Sequence, residues 1–97
     1  MIKIVNKKVY EGEGYYIGRP SVLGNPYRVS MGREKCIELY REWLRREWVK
    51  GGDVKNELLR LVELSEKGDL VLICWCKPLA CHGDVLKDAI EKIARIP

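Results

Sequence analysis

Three of the four cysteines and the only histidine fall within Cys74-Trp75-Cys76-Lys77-Pro78-Leu79-Ala80-Cys81-His82-Gly83-Asp84. Thiols supply soft nucleophiles and metal ligands, and imidazole is the side chain whose ordinary pKa lies nearest neutrality. The apolar run Leu70-Val71-Leu72-Ile73 leads into this stretch, and the helix-like run from Asp84 to Ile90 follows it. A strand that empties through a glycine-containing loop into a helix N-terminus is a common place for α/β domains to bind anions or do chemistry. The positive end of the helix dipole favours a Cys81 thiolate and disfavours a protonated His82. Cys81 is thus a candidate nucleophile, with His82 or Asp84 as candidate proton carriers. The structural alternative makes Cys81 a small buried residue and His82 a hydrogen-bonding member of the loop.

Cys74, Cys76, Cys81 and His82 also match structural zinc in number and ligand type. Alternation along a strand would turn Cys74 and Cys76 to one face. Yet C-x-C-x4-C-H lacks the C-x2-C knuckle of ordinary zinc modules, so no cofactor is expected and zinc is an alternative. A Cys76–Cys81 or Cys74–Cys81 disulfide is another. Cys36 lies on an apolar helical stripe and reads as core.

A second chemistry-bearing segment is Gly18-Arg19-Pro20-Ser21-Val22-Leu23-Gly24-Asn25-Pro26-Tyr27. Its glycines and prolines preclude regular structure, and loops of this length are more often functional than filler. Arg19 suits bidentate capture of phosphate or carboxylate. Asn25 either reads a base edge or ties the turn.

The elements that must position these loops follow from periodicity. Ile2-Lys3-Ile4-Val5 and Tyr15-Tyr16-Ile17 read as strands, and Lys8-Val9-Tyr10 is ambiguous. Cys36, Tyr40, Leu44 and Trp48 recur every four residues in a helix predicted over 33–49, which Gly51-Gly52 ends. Asp53 is placed to cap a second helix running to about Glu66, with Gly68 as its stop. Leu70 to Trp75 is apolar on both faces, as in a central strand covered on each side. Asp84 is placed to cap the last helix. Together these predict an α/β fold: a compact sandwich over residues 1–97, with a small, mostly parallel sheet and about three helices.

At 97 residues the chain has room for one domain, and 46% hydrophobic residues allow a small core. No apolar run approaches a membrane span, and the start of the sequence lacks a signal-peptide pattern, so a cytoplasmic soluble protein is expected. Residues 1–50 carry 11 basic against 6 acidic side chains, and the remainder 7 against 8. That asymmetry fits a phosphate-bearing partner but is mild for a nucleic-acid binder. Glu38, Glu42 and Glu47 also dilute Arg41, Arg45 and Arg46, making nucleic acid the less favoured alternative. Gln and Thr are absent and 33% of residues are charged, a balance that suggests a thermophilic source.

The two segments together resemble a known family, the domain of unknown function 4326. Its members carry Y-I-G-R-P-S-x-L-G-N-P-aromatic and C-x-C-x-P-x-x-C-H-G-D-x-L blocks, which here are Tyr16–Tyr27 and Cys74–Leu86. The family occurs in bacteria, archaea and their viruses, with no established activity. The resemblance implies one shared site with candidates Arg19, Ser21, Asn25, Cys81, His82, Gly83 and Asp84. The expected function is binding of a small, nucleotide-like or other phosphate-bearing molecule. Arg19 and the N–H groups around Gly83 would hold the anion, and Trp75 or Tyr27 would stack on a base. A Cys/His-dependent hydrolase or transferase is the enzymatic alternative.

Overall fold

Strands β1 (Ile2–Asn6), β2 (Tyr15–Tyr16) and β3 (Leu70–Cys74) form a sheet of order β1-β3-β2. Both pairings are parallel, Ile2 opposite Leu70 and Tyr15 opposite Leu72, so all three carboxyl ends share one edge. The computed structural model describes residues 1–77 and 79–95, without the side chain of Val29; Pro78 of the second block lies outside the described residues. Helices α1 (Arg33–Lys50), α2 (Asp53–Lys67) and α3 (His82–Ala94) complete the fold, after a short 3-10 turn at Val29–Met31.

Alternation in the strands decides where the core lies. Ile2, Leu70, Leu72 and Cys74 point to one face and join Tyr40, Leu44, Leu58, Leu61, Leu86 and Ile90 of the helices in one buried cluster. Burying a Leu or Ile side chain is worth roughly 1.5–3 kcal/mol, which holds the helices to that face. The opposite face is covered less fully: Val71 and Ile73 are half-buried there. Because β3 separates β1 from β2, residues 7–14 must cross that second face between the edges. A Cβ on Gly14 would stand 2.9 Å from both Ile73 Cδ1 and the Val71 carbonyl oxygen, so the crossing is close enough to need glycine.

The helix boundaries fall near the predicted ones, with two corrections at their starts. Gly52, not Asp53, is the N-cap of α2, and Asp53 is its first helical residue. Gly51 and Gly52 adopt φ of 79° and 114°, a pair of positive values that lets α1 break directly into α2. Cys81, not Asp84, caps α3; its extended backbone precedes His82, and Asp84 is the third helical residue. The second strand of the prediction is shorter, since β2 stops at Tyr16, although the Ile17 N–H still donates to the Ile73 carbonyl at 3.0 Å. The ambiguous 8–10 segment is turn: the N–H groups of Val9 and Tyr10 both donate to the Asn6 carbonyl. No helix among the described residues is long and apolar enough to cross a membrane.

Candidate functional site

A cavity of about 220 Å³ opens at the carboxyl ends of β2 and β3, where parallel sheets commonly receive ligands. Arg19 and Asn25 reach it from the loop after β2, Trp75, Cys81 and His82 from the loop after β3. Five residues predicted from two distant segments thus line one concavity. Arg33, Cys36 and Tyr27 line it as well. Arg33 was not singled out in the sequence, where it is merely the first residue of a helical repeat. Its placement follows from α1 starting at the same edge as α3.

Several hydrogen bonds build the walls. Tyr40 is fully buried and its hydroxyl donates to the Leu23 carbonyl at 2.7 Å, anchoring the first loop to α1. The Asn25 side chain accepts from the Tyr27 N–H at 2.9 Å and donates to Cys36 Sγ at 3.2 Å. Asn25 therefore ties the turn. Ser21 does not line the cavity: its N–H donates to the Gly18 carbonyl, and its carbonyl accepts from the Gly24 N–H. Its hydroxyl oxygen is buried with no partner among the described residues. Asn6, also missed in the sequence, holds the second loop from the end of β1 by donating to the carbonyls of Trp75 and Lys77.

His82 joins the two loops directly. Its Nε2 lies 2.7 Å from the Ile17 carbonyl oxygen, which can only accept, so the proton resides on Nε2 and leaves Nδ1 as an acceptor. Burial, helped by the nearby Arg19 charge, lowers the imidazole pKa, against the opposing pull of the Ile17 carbonyl and Asp84. His82 is thus neutral at pH 7, as the helix position alone suggested. The edge of its ring also packs against Tyr40, with centroids 5.0 Å apart.

Cys81 reverses the expectation of a ready thiolate. Burial, followed by the charge of Cys74, pushes its thiol up to about 12, and the Gly83 N–H offsets only part of this. The thiol therefore stays protonated at pH 7. No hydrogen bond joins Cys81 to His82 among the described residues, because the imidazole is turned to Ile17. The helix N-terminus is also occupied from within. The Gly83 N–H donates to Cys81 Sγ at 3.3 Å and the Asp84 N–H to the Cys81 carbonyl at 3.0 Å. Gly83 is buried against Ile17 and Ile4, and neither it nor Asp84 lines the cavity. The anion expected on the Gly83 and Asp84 N–H groups would therefore have to displace these bonds.

Asp84 instead acts as a brace. Its carboxylate accepts from the Cys81 N–H at 3.1 Å and from Lys77 Nζ at 2.8 Å. Burial works to raise its pKa, but the bonds from Lys77 and Cys81 outweigh it and hold the carboxyl below its ordinary value. Trp75 is half-exposed at the mouth, with its indole N–H donating to the Tyr16 hydroxyl at 2.9 Å and Lys7 Nζ 5.8 Å above its ring. Cys76 lies beyond the end of β3, so strand alternation does not place it with Cys74. Among the described residues no three His, Cys, Asp or Glu are grouped to hold a metal ion, and the zinc set is split by the turn of His82 towards Ile17.

Trp43 and Trp48 of α1 pack against the core, and Arg41 pairs with Asp88 at 3.7 Å. No solved structure matches the chain significantly. An uncharacterised 12.4 kDa protein of the nrdA-td intergenic region of Enterobacteria phage T4 is 29% identical over 96 residues, covering 96% of this chain and 81% of the phage protein. Residues 2–92 match the family described as Domain of unknown function (DUF4326), and the chain belongs to that family.

Proposed function

We propose that the cavity binds a small phosphate-bearing molecule, nucleotide-like in the first instance, through Arg19 and Arg33. The observation that carries this reading is the charge of the walls. Two arginines from separate segments line one cavity whose described lining contains no carboxylate. Arg33 spends Nη1 on the Ala80 carbonyl at 2.9 Å, which fixes the guanidinium and leaves its other donors for a ligand. The helix α1 also begins at the cavity, and its Gly32 N-cap supplies no side-chain acceptor, so the positive end of its dipole adds to the field. Neutral His82 offers Nδ1 as an acceptor, and the half-exposed indole of Trp75 offers a flat apolar wall. Binding is favoured over thiol chemistry because the Cys81 thiol stays protonated at pH 7.

Calorimetric titration of the protein with inorganic phosphate, ribose 5-phosphate and nucleoside monophosphates tests the reading. A charge-assisted hydrogen bond is worth about 1.5–3 kcal/mol, so Arg19→Gln weakens binding by roughly 10- to 100-fold. Affinity unchanged in Arg19→Gln, or no heat with any of these anions at millimolar concentration, refutes it.

A further inference from the structure

All four cysteines line the candidate cavity, including Cys36, which its sequence spacing places in the core. They are not equivalent. Cys36 donates to the Tyr27 carbonyl at 3.3 Å and accepts from Asn25, so its sulfur is held in a local network. Cys76 is half-buried in the loop after β3. Cys74 and Cys81 are buried, and their Sγ atoms stand 3.6 Å apart, with the Cys81 thiol donating to Cys74.

We propose that Cys74 and Cys81 are an oxidative modification site, at which a small peroxide entering the cavity closes the pair into a disulfide. The proposal rests on the sulfur geometry and does not depend on which anion the arginines bind. A disulfide spans about 2.0 Å, so the two sulfurs, 3.6 Å apart, need to approach by about 1.6 Å. Of the two bridges that the sequence leaves open, the structure brings together Cys74 and Cys81. The bond would join the carboxyl end of β3 to the N-cap of α3, the two elements whose junction forms the cavity floor.

The chemistry balances with peroxide as the two-electron oxidant. One thiol, after ionising, attacks a peroxide oxygen; the O–O bond breaks, a sulfenic acid forms and the released hydroxide leaves as water with the thiol proton. The partner sulfur then attacks the sulfenic sulfur. The S–S bond forms, the S–O bond breaks, and a second water carries away the partner's proton. Each sulfur loses one electron and the peroxide gains two, leaving no buried charge. Because burial disfavours ionisation of Cys81, the reaction is slow beside that of an exposed thiol.

The test is to treat the reduced full chain with hydrogen peroxide and measure intact mass before and after. Lys77 precedes Pro78, where trypsin does not cut, so differential alkylation with fragment sequencing identifies the bridged pair. Loss of two hydrogens, recovered with dithiothreitol and mapped to Cys74 and Cys81, is the expected result. Cys76→Ser should form the same bridge at a similar rate, whereas Cys74→Ala should form none. Cys76→Ser leaves the helix cap intact, so its outcome stands even if Cys74→Ala fails to fold. A bridge through Cys76, loss of bridging in Cys76→Ser, or oxidation that adds oxygen without any Cys74–Cys81 bond overturns the proposal.

Discussion

Acidification should destabilise this protein through His82 alone before any carboxylate titrates. The chain has one histidine, which is 8% exposed and held neutral by burial and by Arg19. Its folded pKa is depressed, so the unfolded chain binds a proton that the folded chain resists. Stability is therefore complete above the ordinary histidine value of about 6.5 and falls as pH drops below it. One proton sets a ceiling of about 1.4 kcal/mol per pH unit, so the step from pH 6.5 to 5.5 costs at most about that much. For a domain of this size that is a fall in melting temperature of roughly 5–10 °C. Urea unfolding followed by tryptophan fluorescence at the two pH values measures the slope, and His82→Gln supplies the control. Glutamine can still donate an amide N–H towards the Ile17 carbonyl but has nothing to titrate. The variant should be less stable by a constant amount and flat across the window. An equal slope in His82→Gln, or greater stability of the natural chain at pH 5.5, would refute the reasoning.

Tyr40→Phe removes the buried bond to the Leu23 carbonyl and leaves that acceptor unpaired. A loss of about 1–3 kcal/mol in urea unfolding is expected, with weaker phosphate binding as the loop carrying Arg19 loosens. Gly14→Ala should cost about 1–3 kcal/mol by chemical denaturation, because its Cβ meets the Val71 carbonyl backbone as well as Ile73. Iodoacetamide labelling of the folded chain at pH 8 should modify Cys76 well before Cys81, and labelling of Cys81 should accelerate steeply as pH rises towards about 12. Comparable rates for the two at pH 8 would contradict the burial argument.

Periodicity alone determined the elements, because each repeat records which face must leave water. The four-residue stripe from Cys36 to Trp48, the glycine pair at 51–52 and the unbroken apolar run from Leu70 sit within a residue or two of the observed boundaries. The two loops were also legible, since dense Gly, Pro, Cys and His are poor material for helix or strand. What the sequence left open was anything that depends on who faces whom. The strand order β1-β3-β2 appears only once residues 7–14 cross the sheet, a matter of long-range pairing that local pattern does not encode. Charge state at Cys81 depended on tertiary structure: a helix dipole acts over one turn, but burial overrides it, and the Cys74 charge adds to burial from seven residues away in sequence and 3.6 Å in space. Arg33 joined the site for the same reason, since only the packing of α1 beside α3 brings its guanidinium to the Ala80 carbonyl, 47 residues along the chain.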